Sequence, residues 1–194
     1  MDLQNLDLET MLSYIGRASP SISGSTAALV ASQLGIAMVR MAFEVSQKRG
    51  SETELVTERL DSLLAQIKKA ADDDWAASKA LIERYRQGSD TAAKASALVD
   101  ATRAPLAAAH LLVELLELLD DASAKVASNV ASDFGGGVEL INAAFAAVMM
   151  AVENNLRDDA CEPIRARTES NRSSLFARSE QAIQRLRRDR TKQQ

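Results

Sequence analysis

An aspartate in the middle of a long helical stretch is the first residue whose type and position suggest chemistry. Asp72, Asp73 and Asp74 stand together in a run of helix-forming residues, although Asp is a poor helix former. Asp74 follows Ala71 by three residues and precedes Ser78 by four, so helical spacing turns it inward. Because a buried carboxylate is costly unless it is paired or functional, the spacing predicts either a catalytic group or an ion pair between helices.

A loop of small residues, Ser23, Gly24 and Ser25, precedes a long Ala-rich helix that is predicted to begin near Thr26. Helix N-termini present unpaired N–H groups and a partial positive charge, so they bind carboxylates and phosphates. Glycine allows a ligand to approach the backbone closely. The loop is therefore a candidate anion or ligand site, and the alternative is a plain serine N-cap.

A second glycine-rich segment places Ser132 and Asp133 ahead of glycines 135–137. Three consecutive glycines predict a sharp bend in the backbone or a close approach by another group. Asp133 is thus a second candidate acid, and the alternative is a capped helix start that follows a flexible turn.

The elements that must position these residues are all predicted to be helices. Ala and Leu dominate, glycine and proline are scarce with 8 and 3 residues, and aromatic residues make up 4% of the chain. The predicted helices cover about 8–15, 26–47, 51–86, 90–102, 105–130, 138–156 and 163–190. We therefore expect an all-α, single-domain bundle of about six or seven helices over residues 1–194, with the long apolar helix 105–130 at its centre.

Several residues are predicted to begin or end these helices. Asp7 and Asp90 are expected N-caps, and Ser51 with Glu54 forms a capping-box pattern. Pro105 is expected to open the apolar helix, because a first-turn proline loses no needed hydrogen bond. The glycines at 135–137 are expected to lie in a break before the next helix.

The composition excludes several classes of protein. One histidine, His110, and one cysteine, Cys161, leave too few ligands for a His/Cys zinc site, and His110 is interpreted as a buried structural residue. The net charge of −4 does not suggest a nucleic-acid or membrane-surface protein. The apolar stretch 27–45 is interrupted by polar residues, and the first residues lack a signal-peptide pattern, so we expect a cytoplasmic protein.

The C-terminal helix, within 161–194, differs in charge from the rest of the chain. Residues 162–194 carry nine Lys or Arg side chains and four acidic ones. The favoured interpretation is a terminal helix that packs on the body or on a second subunit through Leu175, Ser179, Ile183 and Leu186. The alternatives are a basic surface for an anionic ligand tail and, less favoured, nucleic-acid binding.

Taken in order, these segments resemble the cyclodeaminase/cyclohydrolase family, which includes the cyclodeaminase half of formiminotransferase-cyclodeaminase and bacterial methenyltetrahydrofolate cyclohydrolases. The resemblance covers about residues 8 to 160. Six segments carry it. The first is the loop 19–25, which precedes Thr26; the others are the pair Ser46 and Lys48, the segment Asp74 to Ser78, Ala101-Thr102-Arg103-Ala104-Pro105-Leu106, Ser132-Asp133 and Asn155-Leu156.

The resemblance implies a homodimer and a folate site without a metal or cofactor, in which a tetrahydrofolate derivative is the substrate. It implies catalytic roles for Asp74 and Asp133. The implied substrate-binding residues are Ser23, Gly24, Ser25, Lys48, Thr102 and Ser132. A homodimer is also expected because the last two apolar helices carry more apolar surface than one thin layer can cover.

The implied reaction is hydrolysis of 5,10-methenyltetrahydrofolate or deamination of 5-formiminotetrahydrofolate. The bridging carbon of the methenyl compound is already an electrophilic amidinium, so one carboxylate could stabilise the cation and accept a proton from water. Ile22 and Ser23 stand where the family has glycine, and Ile22 is expected to obstruct the ligand. The alternative is therefore a catalytically degenerate relative that serves as a ligand-binding or structural homodimeric module.

Overall fold

Helices form nearly all of the chain that the structure, a computed structural model, describes: residues 3–18 and 21–192. The α-helices are α1 (Leu8–Ile15), α2 (Gly24–Gln47), α3 (Glu54–Arg86), α4 (Thr91–Ala122), α5 (Ala131–Asn155) and α6 (Glu162–Lys192). Short 3-10 turns lie at Leu3–Asn5, Ser123–Lys125, Ser128–Val130 and Asp159–Cys161. The described residues contain no strand, so the all-α prediction is confirmed.

Four helices form the body of the bundle. α2 packs against α3 and α5, and α4 packs against α3 and α5 on the opposite side. α6 lies across α4 and the edge of α5. The prediction of an apolar central helix is confirmed in α4, which contacts four other α-helices and buries Leu112, Leu115, Leu116 and Leu119 completely.

α4 is one continuous helix, so the predicted break between residues 102 and 105 is wrong. Pro105 lies inside it. A proline within a helix has no N–H for the carbonyl four residues earlier, which here belongs to Ala101. Nδ2 of Asn155 donates to that Ala101 carbonyl at 3.2 Å. A side chain from α5 therefore supplies the hydrogen bond that Pro105 cannot make.

The hydrogen bond from Asn155 predicts that the effects of Asn155→Ala and Pro105→Ala on stability are not additive. Asn155→Ala is expected to destabilise the protein by about 1–3 kcal/mol, because it leaves the buried Ala101 carbonyl without a donor. In a Pro105→Ala background the backbone N–H of residue 105 can satisfy that carbonyl, so Asn155→Ala should cost much less there. Denaturant unfolding of the four proteins measures the coupling, and equal costs in both backgrounds would contradict this explanation.

The glycines at 135–137 lie within α5 rather than in a break, so the predicted bend is also wrong. Their smallness serves a helix crossing: a Cβ built on Gly137 would lie 2.7 Å from the carbonyl oxygen of Gly35 and 2.7 Å from Cγ1 of Val39. A Cβ on Gly35 would meet the Gly137 carbonyl oxygen at the same 2.7 Å. The close approach that the glycines predicted is therefore made by α2, not by a ligand.

Gly137→Ala is expected to destabilise the protein by about 1–3 kcal/mol, because two helix backbones would have to separate. The matched control is Gly136→Ala, whose Cβ would meet only the end of the Met38 side chain, at 3.0 Å. That substitution should be neutral or stabilising by up to about 1 kcal/mol through helix propensity. Thermal unfolding compares the two, and equal effects would indicate that the segment is not a packed helix.

The predicted helix starts are confirmed at two positions and wrong at a third. Asp7 and Asp90 accept hydrogen bonds from the backbone N–H groups of Thr10 and Ala93 at 2.8 and 2.7 Å. The capping box at Ser51 does not form, since Thr53 is the N-cap of α3 and makes no side-chain cap. The Thr53 hydroxyl instead donates to the Phe43 carbonyl at 3.1 Å, which ties α3 to α2.

The basic C-terminal helix packs on the body, as the favoured interpretation predicted. Its seam of Leu175, Ser179, Ile183 and Leu186 is buried. Arg178 binds Glu117 of α4 through two bonds of 2.7 and 2.6 Å, and Arg187 binds Glu139 of α5 at 3.0 and 2.7 Å. The positive charge of α6 therefore complements carboxylates on α4 and α5.

His110 is half-buried rather than fully buried, and its Nε2 lies 3.0 Å from Nδ2 of Asn171 on α6. Desolvation, with the nearby charge of Arg178 as a second cause, lowers the pKa of His110 below its ordinary value of 6.5. A neutral histidine beside an amide fits the structural role that the sequence predicts.

Two helices are long and apolar enough to cross a membrane by length and composition alone: Gly24–Gln47 and the span Ser128–Asn155. In the bundle they pack against each other, and 44% and 50% of their most apolar windows are buried. Core helices meet the same criteria. The unburied half of each helix forms part of an apolar surface considered below.

Candidate functional site

Asp74 lies on the buried face of α3 and is completely inaccessible to solvent. Its Oδ2 accepts hydrogen bonds from three hydroxyls of the α2 N-terminus: Ser23 at 3.0 Å, Ser25 at 2.9 Å and Thr26 at 2.5 Å. The prediction that Asp74 faces inward beside a partner is confirmed. The interpretation as an ion pair between helices is wrong, because its partners are hydroxyls.

The start of α2 explains why these hydroxyls converge on one oxygen. Ser23 is the N-cap, and its Oγ accepts from the backbone N–H of Thr26 at 3.1 Å. Ser25 and Thr26 are buried in the first turn. The positive end of the α2 dipole stabilises a negative charge placed here, so the helix start and the Asp74 carboxylate support each other.

Among the described residues, none forms a hydrogen bond with the second carboxylate oxygen of Asp74. Its Oδ1 is buried and unpaired in the described part of the chain. Buried carboxylate oxygens are normally satisfied, and each exception needs an explanation such as a functional role or an absent ligand or water. Oδ1 is therefore an open acceptor beside a cluster of ordered hydroxyls.

A cavity of about 370 Å³ lies directly against this cluster. It is formed by the first turn of α2, the C-terminal third of α3, Ala101 of α4 and the last turns of α5. Its lining residues are Ser23, Gly24, Ser25, Ser78, Leu81, Ile82, Ala101, Ala147, Met150, Ala151 and Asn155. Asp74 does not line the cavity itself, so it reaches the space through the hydroxyls of Ser23 and Ser25.

Two other predicted residues lie behind the cavity rather than in it. Thr102 is fully buried, donates to the Leu98 carbonyl at 2.7 Å and lies 3.6 Å from Sγ of Cys161. Ile22 is a core residue with 1% exposure and does not line the cavity, so the prediction that it obstructs a ligand is wrong. The loop keeps Ser23 and Gly24 on the cavity wall while Ile22 anchors it to the core.

The remaining predicted residues lie at the ends of α2 and α5 that are far from the cavity. Asp133 and Ser132 are in the first turn of α5, whereas the cavity is lined by its last turns. At 1.5 Å per residue, Asp133 is about 25 Å along the helix from Met150. Lys48 follows the last residue of α2, and the cavity is at the start of that helix. One chain therefore brings Asp74, Ser23, Gly24 and Ser25 together and leaves Lys48, Ser132 and Asp133 apart.

Sequence reasoning did not assign a role to three residues of this region. Thr26, taken only as a helix start, contributes the shortest bond to Asp74. Ser78 lines the cavity one turn after Asp74, and Asn155 lines it while holding the Ala101 carbonyl. If Pro105 lies inside a helix, the carbonyl of Ala101, four residues earlier, needs another hydrogen-bond donor. Nothing in the sequence identifies Asn155 as that donor.

The arrangement can transfer a proton but offers no metal cluster among the described residues. Ser25 is hydrogen-bonded to Asp74 and lines the cavity, so a water in the cavity could donate to Oγ of Ser25 while Ser25 donates to the carboxylate. The apolar wall of Leu81, Ile82 and Met150 suits a flat ring.

The chain is similar to known proteins in sequence and in fold. Residues 8–173 match the model of the formiminotransferase-cyclodeaminase family. The fold is similar to the crystal structure of a formiminotetrahydrofolate cyclodeaminase from Thermotoga maritima, with a TM-score of 0.86 and 20% identity over 96% of both chains. No curated protein sequence matches the chain.

Proposed function

Because the chain belongs to the formiminotransferase-cyclodeaminase family, we propose that the cavity beside Ser25 binds a tetrahydrofolate derivative and converts its one-carbon group. The reaction is hydrolysis of 5,10-methenyltetrahydrofolate or deamination of 5-formiminotetrahydrofolate. The observation that carries the proposal is the Asp74 carboxylate, which is buried, bound by three hydroxyls and connected to the cavity through Ser25.

In the proposed chemistry the Asp74 carboxylate acts on the substrate through Ser25. The methenyl carbon is a delocalised cation, and water that attacks it must lose a proton. Before the attack, the negative charge of Asp74 stabilises the cation; as the water oxygen bonds to the methenyl carbon, Ser25 accepts the water proton on Oγ and passes its own proton to Asp74. The adduct then loses its hydroxyl proton to solvent as one carbon–nitrogen bond breaks, and the leaving nitrogen takes the proton back from Asp74 through Ser25. In the deaminase version N10 bonds to the formimino carbon and gives its proton to the same path, which returns a proton to the amino group that leaves as ammonia when its carbon–nitrogen bond breaks. Gly24 lets the ligand approach the start of α2 without a side chain in the way.

Turnover of the two candidate substrates tests the proposal. The purified protein should open the methenyl bridge, seen as loss of its absorption, or release ammonia from the formimino compound in a coupled assay. Whichever substrate turns over identifies the leaving group. Absence of both reactions in a folded protein that also fails to bind tetrahydrofolate would contradict the proposal.

A structural role for Asp74 is the second candidate, and its burial favours it. A carboxylate with no exposed surface that holds the first turn of α2 can serve folding alone. In that case the chain is a ligand-binding or structural module that retains the fold without the activity. Substitution of Asp74 separates the two roles, as argued in the Discussion.

We also propose that the protein is a homodimer that associates through α2 and α5. Leu34 and Met41 on α2 are 61% and 40% exposed, and Leu140 and Met150 on α5 are 38% and 72% exposed. Spacings of three or four residues put each pair on one helical stripe, with Ala37 between the residues of the first pair and Ala143 and Ala146 between those of the second. Adjacent apolar stripes of this length are typical of an interface.

The two stripes extend to Asp133 and Lys48, which lie far from the cavity of their own chain. Continuing at helical spacing, the α5 stripe ends at Asp133 and the α2 stripe reaches Lys48. A two-fold axis through the middle of the surface would exchange the ends of the helices. Asp133 and Lys48 of the partner subunit would then approach the Met150 rim of the cavity, and each site would use two chains.

Leu34→Glu is expected to convert the dimer to a monomer, because a charge would be buried in the centre of the interface. Leu55→Glu is the matched control, since Leu55 is 81% exposed on α3, outside this surface. Sedimentation velocity at micromolar concentration should show a dimer for the wild type and the control. A monomeric wild type, or a dimeric Leu34→Glu variant, would contradict this interface.

A further inference from the structure

A second concave surface lies between α1 and α3, on the other side of the segment that leads into α2. It encloses about 350 Å³, which is within the range of small-molecule sites. Tyr14 and Trp75 supply aromatic walls, and Arg17, Lys79 and Arg86 supply three positive charges. We define these five residues as the α1/α3 groove.

The positive charges of the groove outnumber the carboxylates that line it among the described residues. None of Arg17, Lys79 and Arg86 forms an ion pair with any residue in the ranges 3–18 and 21–192. The guanidinium of Arg17 lies over the Tyr14 ring, 4.5 Å from its centre. The one carboxylate in the lining, Glu83, accepts a hydrogen bond from Gln87 at 2.6 Å. Three cations beside one acid give a local positive field on a chain whose net charge is −4.

Helical spacing holds the groove in place. Trp75, Lys79 and Arg86 follow one face of α3, and Nε1 of Trp75 donates to the Ser21 carbonyl at 2.7 Å. That bond fixes the wall of the groove to the segment that carries Ser23. Ile82 lines both the groove and the cavity beside Ser25, so the two spaces are neighbours.

We infer that the α1/α3 groove is a binding site for a multiply charged anion, such as a polyphosphate or polycarboxylate. Its charged groups bind Arg17, Lys79 and Arg86, and its less polar part lies against Trp75 and Tyr14. Guanidinium groups bind such oxygens through paired hydrogen bonds, and the aromatic walls exclude water on one side. The anion is either free or the charged end of a molecule that also occupies the neighbouring cavity.

Trp75 is the only tryptophan of the chain, so its fluorescence reports on the groove directly. Titration of the full chain with inorganic pyrophosphate should give a saturable change that weakens severalfold as added NaCl screens the charges. Lys79→Ala combined with Arg86→Ala should raise the dissociation constant by about tenfold or more, because two charge-assisted contacts are lost. Arg49→Ala, at an exposed cation beyond the far end of α2, is the control and should change nothing.

A change that never saturates, or an equal dissociation constant in the double variant, would overturn the anion site. Circular dichroism of the double variant confirms that it folds. Tetrahydrofolate then distinguishes the sources: competition with pyrophosphate assigns the groove to the charged end of the cavity ligand, and simultaneous binding assigns it to a free anion. Both results support the site, which does not depend on the proposed reaction, since the pyrophosphate titration requires no turnover.

Discussion

Asp74→Asn is expected to lower turnover of the folate substrate by about 100-fold or more, because the amide cannot accept the proton that Ser25 passes on. The amide is nearly isosteric with the carboxylate, so the fold should persist. Some stability will be lost, about 1–3 kcal/mol, since the three hydroxyls of Ser23, Ser25 and Thr26 lose a charged acceptor. Steady-state kinetics and thermal unfolding of the same preparation measure both effects.

The neighbouring aspartate provides the matched control. Asp73 is exposed on the same helix and pairs with Lys69 at 2.6 Å, so Asp73→Asn should alter neither turnover nor melting appreciably. If Asp74→Asn lowers the melting temperature and leaves turnover unchanged, Asp74 has a structural role alone. If it changes neither quantity, the hydroxyl cluster has no importance for folding or chemistry.

Mixing two inactive variants is expected to restore activity if each site uses residues from two chains. Asp74→Asn and Asp133→Asn should each be nearly inactive alone. In a mixed dimer one site combines both substitutions, and the other has Asp74 from one chain and Asp133 from its partner, both intact. Random exchange should therefore recover about a quarter of wild-type activity, because half of the dimers are mixed and each has one intact site.

Exchange must be shown independently of activity. Differently tagged subunits, co-purified before and after mild denaturation and refolding, measure the mixed fraction. The pair Asp74→Asn with Ser25→Ala is the control, because both substitutions lie in one cluster of one chain, so each site of a mixed dimer carries one defect and no activity should return. If the mixed fraction is shown and the Asp133 pair recovers no more activity than the control pair, Asp133 does not act across the interface.

The residues of the hydroxyl cluster could be predicted from the sequence to different degrees. The inward position of Asp74 follows from the spacing of Ala71 and Ser78, because helical periodicity is a local property. The caps at Asp7 and Asp90 follow from local hydrogen bonding in the same way. Asp74 also binds three hydroxyls from a segment about fifty residues earlier in the sequence. These contacts depend on how α2 crosses α3, and a local sequence pattern does not predict that crossing.

The predictions that failed share a physical cause. Glycines 135–137 and Pro105 were interpreted as breaks because each is unfavourable in an isolated helix. In the folded chain Gly137 allows α5 to contact α2, and Asn155 supplies the hydrogen bond that Pro105 cannot make. Tertiary contacts therefore compensate for unfavourable local preferences, and those contacts lie outside the window that a propensity argument considers.

A variant with a blocked cavity tests whether a folate occupies the space beside Ser25, as proposed above. Calorimetric titration with tetrahydrofolate should show saturable binding to the wild-type protein and none to Ser78→Trp, which places an indole in the cavity one turn after Asp74. Ala76→Trp, exposed on the same helix, should bind as the wild type does. Equal binding by a folded Ser78→Trp variant, or no binding by the wild type, would contradict the claim.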